Sequence, residues 1–327
     1  MSYKISVALC TYNGKYFIED QIDSILNQTI MPDELIICDD RSTDETVELV
    51  KKKMEKSNIK YQIIVNDQNL GLIKNFENAI RKCTGDIIFT ADQDDIWLNE
   101  KVEFVVNKFK SNKELSLVYT DAYLVDEDLT KFGINLWDTL NSDMEILRDR
   151  QALLKVLLKN NLMTGATMAF KRSTIGNSLP FNKWWIHDYW IAVTGTLIGE
   201  VEAISKPLIL YRQHENNVIG ASKLGVISKV KKYIDNFKNL QSIRDNKYNM
   251  MTELSRFVYV NKDDISYDDK MLVKRAYLFW QELSSLNEKK RNESIFIIIA
   301  NYLKGNYSIF YTGIRGAFRD IINVLIL

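Results

Sequence analysis

Three carboxylates lie within four positions of the stretch FTADQDDIWLNEK, directly after a strand-like run at 86–89. Charges this close repel one another, so an ordered loop containing Asp92, Asp94 and Asp95 indicates a positive partner. Mg²⁺ and Mn²⁺ prefer oxygen ligands and often bind one or two carboxylates together with substrate phosphates. Asp92 and Asp94 could hold such an ion, which would stabilise charge on a leaving diphosphate. The alternative is a solvated acidic turn that caps a helix starting near Asn99.

The elements that must position this loop are strands that alternate with helices. Short apolar patterns predict strands at ISVAL, ELIICDD, YQIIVND, DIIFTADQDD and LSLVYTDAYLVD, with helix-length segments between them. The first segment presents Ile22 and Ile25 on one face, and Ser42 to Glu45 resembles a capping box that opens the next helix. This alternation predicts βαβ units and a mostly parallel sheet.

Polar side chains recur at the predicted ends of these strands. In a parallel sheet, ligands bind at the carboxyl ends of the strands, so groups that are scattered in sequence converge there. We therefore expect one site built from Thr11, Tyr12, Asn13, Asp39, Asp40, Asn66, Asp67, Asn69, Asp92, Asp94, Asp95 and Asp121.

Composition excludes several classes of protein. The 327 residues include 43 Lys and Arg and 43 Asp and Glu, so the net charge does not favour nucleic acid. Neither GxGxxG nor GK[ST] occurs, which argues against dehydrogenases and P-loop enzymes. We expect no signal peptide and no membrane span, because no apolar run approaches about 18 residues. Cys10, Cys38 and Cys83 are far apart and are expected to be buried free thiols in a reducing compartment.

Four segments resemble the family 2 glycosyltransferases of GT-A fold: SVALCTYNGKYFIEDQIDSILNQT, ELIICDDRSTDET, NLGLIKNF and FTADQDDIWLNEK, in this order and spacing. The similarity covers residues 4–220, and DQDDIW, HDYW and YRQHENNVIG are similar to a bacterial rhamnosyltransferase-like branch that builds surface polysaccharides. The resemblance implies an α/β, Rossmann-like sheet in residues 1–221, followed by a helical extension in 222–327. It also implies inverting transfer of a sugar, with L-rhamnose from dTDP-L-rhamnose as the first choice, to a glycan hydroxyl.

The resemblance further implies roles for individual residues. Thr11, Tyr12 and Asn13 would line the nucleobase pocket, and Asp39 would bond the edge of the base unless it only caps the following helix. The first carboxylate of the acidic loop, Asp92, would contact the ribose and diphosphate side together with Gln93. Asp94 would hold Mg²⁺ or Mn²⁺, with Asp92 as a second ligand and Asp95 as an extra ligand or helix cap.

Two residues after the final strand pattern are further candidates. His214 would complete the metal site, as a histidine does at this point in some GT-A enzymes, or it is a surface histidine of a loop. Arg212 would pair with the diphosphate or hold the acidic loop.

An inverting transfer needs a general base that takes the proton of the acceptor hydroxyl. Asp188 in WWIHDYW lies where the family has its catalytic aspartate, and an aromatic surround would raise its pKa and make it a better base. The alternatives are that Asp188 caps the helix YWIAVTGTLIG, or that His187 is the base.

Aromatic residues near this motif could bind a sugar by packing against its C–H faces. Trp184, Trp185 and Trp190 would form that platform or belong to the core. Gly165 would bring the backbone close to the sugar or form a turn. Trp97 is a further substrate-side candidate, or core behind the metal loop.

The C-terminal third is helical in pattern, with Ile, Phe and Tyr interleaved with Lys and Arg. Interfacial helices and solvated faces of a helical bundle share this pattern. The resemblance favours a lipid-linked acceptor and peripheral contact at the cytoplasmic face of the membrane, and a homodimer is the third alternative. A nucleotidyltransferase, a glycosidase or a non-catalytic nucleotide- or glycan-binding subunit remain rival functions; no nucleic-acid motif accompanies the basic run.

Overall fold

The computed structural model describes residues 3–140, 148–176, 178–214 and 239–326. The chain divides into two compact units, Met1–Arg150 with Leu162–Ala221, and Gln151–Asn161 with Ser222–Leu327. Residues 151–161 therefore belong to the second unit, whereas the predicted division assigned them to the first domain. One contact that ties them to the second unit is a hydrogen bond from Lys247 Nζ to the Lys159 carbonyl, 2.9 Å long.

A single mixed sheet forms the centre of the first unit. The β3-β2-β1-β4 half is parallel, as the alternating pattern predicts. The antiparallel strand β8 then joins β4 to β6, and β9 and β5 complete the order, with β7 paired to β6. Within the described residues the strands are β1 Ile5–Thr11, β2 Glu34–Asp39, β3 Lys60–Val65, β4 Ile87–Ala91, β5 Ile96–Trp97, β6 Leu115–Val125, β7 Lys131–Asn135, β8 Met168–Lys171 and β9 Glu200–Arg212.

Amphipathic helices cover this sheet. Ile18, Ile22 and Ile25 follow helical spacing and are all fully buried, which explains why the first segment folds as a helix against the strands. The described helices of the first unit are α1 Ile18–Leu26, α2 Thr46–Met54, α3 Leu72–Lys82, α4 Lys101–Ser111, α6 Arg172–Ile175 and α7 His187–Ile198, while α5 Arg150–Leu157 belongs, except for Arg150, to the second unit.

The predicted capping box before α2 is wrong. The N-cap residue of α2 is Glu45, and it makes no side-chain capping hydrogen bond. The Ser42 hydroxyl instead donates to Asp39 Oδ2 at 2.6 Å, and the Ser42 amide donates to Asp39 Oδ1 at 2.7 Å. A serine that turns back toward the preceding strand is unavailable to the helix, because its side chain already has a nearer acceptor.

Asp40 connects the ends of two neighbouring strands. Its Oδ1 accepts hydrogen bonds from Asn66 Nδ2 at 2.9 Å and the Leu70 amide at 2.8 Å, and its Oδ2 accepts from the Gly71 amide at 2.8 Å. Gly71 has a φ of +80°, a conformation that favours glycine, and it immediately precedes α3. Asp40 therefore fixes the loop between β3 and α3 to the end of β2.

Asp121 was expected at the end of a strand but lies within β6. The pairing register of β6 with β9 shifts at this position. The carboxylate accepts hydrogen bonds from the Ala122 amide at 2.8 Å and the Trp137 amide at 3.1 Å, and burial raises the pKa of Asp121. The apparent end of the strand in the sequence is thus an irregularity inside a longer strand.

The described part of the second unit is helical. Its core includes Trp280, Phe279 and Tyr307, and a buried ion pair joins Arg244 to Asp320 at 2.8 Å. The basic stretch with Val226, Val230, Ile234 and Phe237 lies outside the described residues. Within the described ranges, no helix combines the length and apolar character that a membrane span requires. The helices are α8 Leu240–Val260, α9 Tyr267–Ser284, α10 Arg291–Leu303, α11 Asn306–Phe310 and α12 Ile314–Ile326.

Replacing Asp40 with alanine is expected to lower the free energy of unfolding of the first unit by about 2–4 kcal/mol, because the buried Asn66 amide and two part-buried backbone donors lose their acceptor. Urea unfolding followed by tryptophan fluorescence measures this change. Asp67→Ala, an exposed aspartate of the same loop, is the matched control and should change stability by less than about 0.5 kcal/mol. Equal stability of the two variants would contradict the bridging role of Asp40.

Candidate active site

Hydrogen bonds join the carboxyl ends of β1, β2 and β4. Thr11 Oγ1 donates to Asp39 Oδ2 at 2.6 Å, linking β1 to β2. The Tyr12 amide donates to Gln93 Oε1 at 2.8 Å and Gln93 Nε2 donates to the Tyr12 carbonyl at 3.0 Å, linking the loop after β1 to the acidic loop after β4. The segments after β1, β2 and β4 that we expected to converge at this edge of the sheet are therefore joined there.

The residues expected at the nucleobase differ in their exposure. Tyr12 is 48% exposed and Asn13 is also exposed, so both are open to a ligand. Asp39 is only 1% exposed, and its carboxylate already accepts hydrogen bonds from Thr11 and Ser42. Asp39 does not cap α2, because the helix starts at Thr46 without a side-chain cap. Its role toward a nucleobase stays a prediction.

The acidic loop has one buried and two half-buried carboxylates. Asp95 is fully buried, whereas Asp92 and Asp94 are half-buried. Burial, and then the negative charges of Asp94 and Asp188, raise the pKa of Asp92 to about 7. Burial, and then the negative charges of Asp94 and Asp92, raise the pKa of Asp95 well above its usual range. The loop is therefore a place where added positive charge would be favourable.

Arg212 and His214 hold the acidic loop from the end of β9. The Arg212 amide donates to Asp95 Oδ1 at 3.1 Å, and its Nε donates to the Asp94 carbonyl at 2.8 Å. His214 Nε2 lies 2.8 Å from Asp94 Oδ2, and its ring stacks on Phe17 with centroids 5.0 Å apart. These contacts favour the hypothesis that Arg212 holds the acidic loop. They place His214 at the same loop, and its role as a metal ligand stays a prediction.

Lys101 is a site residue that the sequence reasoning missed. Its side chain is fully buried, its Nζ donates to the Ala166 carbonyl at 2.7 Å, and the ammonium lies 3.7 Å from the centre of the Trp97 ring. Burial lowers its pKa well below the usual range, while the charges of Asp95 and Asp92 act in the opposite direction. The available signal was its spacing, since Lys101 shares the i, i+4, i+8 face of α4 with buried Val105 and Phe109.

Asp188 lies in the first turn of α7, where Ile186 is the N-cap residue. Its Oδ1 accepts from the Tyr189 amide at 2.5 Å and its Oδ2 accepts from the Gly165 amide at 3.1 Å. Because its charge raises the pKa of Asp92, the two carboxylates are near enough to interact. The fold therefore brings the candidate base and the acidic loop together, although 96 positions separate Asp92 and Asp188 in the chain.

His187, the rival base, has an unfavourable environment. It is buried, and its ring stacks on Phe76 with centroids 3.9 Å apart. Burial lowers the pKa of His187 to about 3, so the imidazole is neutral and only weakly basic. The ring packs as a core side chain, which disfavours the alternative base.

Most of the proposed aromatic platform belongs to the core. Trp185 is fully buried, Trp97 and Trp190 are nearly so, and Trp184 alone of these four is half-buried. The core interpretation is therefore favoured for Trp97 and Trp185, because neither ring has a free face for a sugar. A Cβ atom on Gly165 would lie 3.1 Å from His187 Nε2, so its missing side chain lets this turn approach the start of α7.

The donor set at the acidic loop fits a divalent ion that a diphosphate helps to bind. In the part of the chain that the structure describes, no group of three or more His, Cys, Asp or Glu side chains could hold a metal. Asp92 and Asp94 nevertheless offer half-buried oxygen ligands whose mutual repulsion a cation would relieve. Mg²⁺ sites with one or two carboxylates and substrate phosphates need no third protein ligand.

Comparison with known proteins places the chain among sugar transferases. The model of the family "Glycosyl transferase family 2" matches residues 6–176. The chain is 28% identical to dTDP-rhamnosyl transferase RfbG of Shigella flexneri over 233 residues, which are 65% of this chain and 74% of that protein. It is 29% identical over 126 residues to UDP-Glc:alpha-D-GlcNAc-diphosphoundecaprenol beta-1,3-glucosyltransferase WfgD of Escherichia coli, covering 38% of this chain and 48% of WfgD.

Solved structures share the fold. TarS 1–349 of S. aureus has a TM-score of 0.59 at 15% identity, covering 98% of this chain and 89% of the other. Mannosyltransferase PcManGT of Pyrobaculum calidifontis, in complex with GDP-Man and Mn2+, has a TM-score of 0.53 at 16% identity, covering 100% and 87%. These likenesses confirm the GT-A α/β fold that the motifs predict. Since the family model spans more than half of the chain, the protein belongs to glycosyl transferase family 2.

Proposed function

We propose that this glycosyltransferase moves a sugar, with inversion, from a nucleoside diphosphate to a hydroxyl of a glycan acceptor. The observation that carries this proposal is the approach of Asp188 to Asp92 and Asp94 at the carboxyl edge of the sheet. Displacement at an anomeric carbon needs a base on the acceptor side and charge stabilisation on the leaving-group side. Asp188 is assigned to the first task and the acidic loop to the second.

The nucleotide would bind across the loops after β1 and β2. The exposed ring of Tyr12 offers a face on which a pyrimidine can stack, and Asn13 lies beside it. Thr11 and Asp39 would form the inner wall, and Asp92 with Gln93 would face the ribose and diphosphate. Thymidine diphosphate rhamnose is the proposed donor, supported by the name of RfbG and by 28% identity to it.

Asp94 and Asp92 would hold a divalent cation together with diphosphate oxygens, and His214 would orient Asp94, whose Oδ2 lies 2.8 Å from His214 Nε2. Bound there, Mg²⁺ or Mn²⁺ would neutralise charge on the departing diphosphate. Support comes from PcManGT, which has the same fold and whose structure contains Mn2+. Arg212 would keep the Asp94 backbone in position through the hydrogen bond from its Nε to the Asp94 carbonyl.

Asp188 would remove the proton of the acceptor hydroxyl as its oxygen forms the bond to the anomeric carbon. The bond between that carbon and the diphosphate oxygen breaks at the same time, and the nucleoside diphosphate leaves. Hydrogen bonds from the Gly165 and Tyr189 amides hold the carboxylate in one orientation. Trp184, which precedes this base by four residues in the chain, is half-buried, and a sugar ring could contact it.

The acceptor is proposed to be a lipid-linked glycan, approached at a membrane surface. Helices α10 and α12 pack against each other and expose apolar side chains, and residues 289–326 contain six Lys and Arg against two Asp and Glu. Exposed apolar side chains with basic neighbours suit an anionic lipid surface. The relative WfgD is named for a diphosphoundecaprenol acceptor. The exposed side chains are Phe296, Ile299, Tyr302, Leu303, Ile314, Phe318, Leu325 and Ile326.

Incubation of the purified protein with a panel of nucleotide sugars and Mn²⁺ tests the transfer reaction. We expect release of nucleoside diphosphate from one donor, with thymidine diphosphate rhamnose as the first candidate. Asp188→Asn should lower this turnover by about 10²–10⁴-fold because the base is lost, while the affinity for the nucleotide stays within about threefold. Normal turnover by Asp188→Asn would refute the base assignment, and inertness toward every nucleotide sugar would refute the function.

Asp94→Asn is expected to weaken nucleotide binding only when Mn²⁺ is present, because the amide is a poorer ligand for a hard cation. Calorimetric titration with thymidine or uridine diphosphate, with Mn²⁺ and with EDTA, separates the two conditions. Asp263→Asn, at an exposed aspartate of the second unit, is the control and should bind as wild type does. Equal losses of affinity with Mn²⁺ and with EDTA would show that Asp94 supports the loop and not a metal.

Sedimentation with phosphatidylglycerol vesicles tests the membrane surface. The double variant Phe296→Ser/Phe318→Ser should bind these vesicles at least about tenfold more weakly. Each substitution removes a ring whose full burial in lipid would contribute about 1.5–3 kcal/mol to binding. Tyr259→Ser removes an exposed aromatic residue of α8 and serves as the control. The proposed lipid-binding surface would be contradicted if the wild type does not bind the vesicles. It would also be contradicted if the wild type and Tyr259→Ser are dimers and the double variant is a monomer, because the same side chains would then form a dimer interface.

A further inference from the structure

A buried ammonium group links the acidic loop to the turn that holds Asp188. Lys101 follows the acidic loop at the first position of α4, and its side chain is fully buried. Its Nζ donates to the Ala166 carbonyl at 2.7 Å and lies 3.7 Å from the centre of the Trp97 ring. A charged group in this environment needs favourable contacts to offset the loss of hydration.

Two hydrogen bonds join Gly165, the first residue of the turn Gly165–Thr167 that contains Ala166, to Asp188 and Thr90. The Gly165 amide donates to Asp188 Oδ2 at 3.1 Å, and the Gly165 carbonyl accepts from Thr90 Oγ1 at 2.6 Å. A Cβ on Gly165 would lie 3.5 Å from the Asp188 Cβ, so the turn packs directly on the candidate base. A displacement of this turn would therefore displace the Asp188 carboxylate.

The charges on the other side of Lys101 belong to the acidic loop. Asp95 and Asp92 attract the ammonium. Among the described residues, none of the ion pairs within 4.0 Å includes Lys101. The direct hydrogen bond of the ammonium is thus to the turn, while its charge acts on the loop from a distance.

We propose that Lys101 is a positioning residue for sugar transfer. Its ammonium holds the Gly165–Thr167 turn, and through Gly165 the Asp188 carboxylate, at a set distance from Asp92 and Asp94. The inference rests on the proposed role of Asp188 as the base. A lysine that only filled space in the core could be replaced by methionine, which has a similar volume, without loss of activity.

Lys101→Met is the test, with Lys110→Met, an exposed lysine of the same helix, as the matched control. The donor is the one identified by the nucleotide-sugar panel. We expect kcat for nucleoside diphosphate release to fall by about 100-fold, because a misplacement of about 1 Å at a reacting group costs that much. The dissociation constant of the nucleoside diphosphate should stay within about threefold, and Lys110→Met should behave as wild type. A wild-type kcat for Lys101→Met would overturn the inference.

A second pair of variants separates positioning from charge neutralisation. Asp95→Asn and Asp95→Asn/Lys101→Met differ only at Lys101. Because asparagine is neutral, loss of the Lys101 ammonium in the double variant does not leave a charged Asp95 without its partner. We expect the double variant to have a kcat at least about tenfold below that of Asp95→Asn, because the Ala166 carbonyl still lacks its donor. Equal kcat values would show that Lys101 only balances Asp95. This comparison also decides the question if Lys101→Met alone does not fold.

Failure of this inference can be told from failure of the proposed function. If Asp188→Asn turns over normally, the base assignment is wrong and Lys101 has no base to position. If Asp188→Asn is inactive while Lys101→Met keeps a wild-type kcat, the proposed function stands and the positioning role is wrong.

Discussion

Repulsion among the carboxylates at one edge of the sheet is the interaction that the surrounding structure must balance. Asp92, Asp94 and Asp188 carry like charges close together, and burial of the loop strengthens their repulsion because less water screens it. The chain supplies part of the balancing charge itself. Arg212 holds the loop from the end of β9, and Lys101 lies beneath it. These contacts come from segments that are distant in sequence, so the loop depends on the completed fold.

The protein's own cations leave the outer face of the loop electron-rich. The Arg212 guanidinium donates to the Asp94 carbonyl and lies 3.6 Å from Asp20, and the buried Lys101 ammonium donates to the Ala166 carbonyl. The pKa of Asp92 nevertheless stays raised by burial and by the charges of Asp94 and Asp188. Such a loop suits a divalent ion that arrives with a diphosphate, because the ion would neutralise the charge of these side chains.

The same edge of the sheet combines rigid and open groups. Asp39 and Asp40 are buried acceptors that fix loops to β2, whereas Tyr12 stays exposed beside them. Membership of glycosyl transferase family 2 is consistent with this division, because a transferase site needs both fixed and ligand-accessible groups. Glycine at position 165 also contributes, because a Cβ there would lie 3.1 Å from His187 Nε2 at the start of α7.

The sequence by itself determined the α/β class, the parallel arrangement of the first four strands and the convergence of polar groups at their ends. These features depend on local periodicity and on the direction of strands, both of which a sequence records. Tertiary structure decided which of the candidates face a ligand. Trp185 and His187 became core because helix α7 packs inward around them, and Asp121 fell inside β6 because that strand continues through an irregularity. The burial of Lys101 was not predicted, because burial depends on neighbours that are far away in the chain.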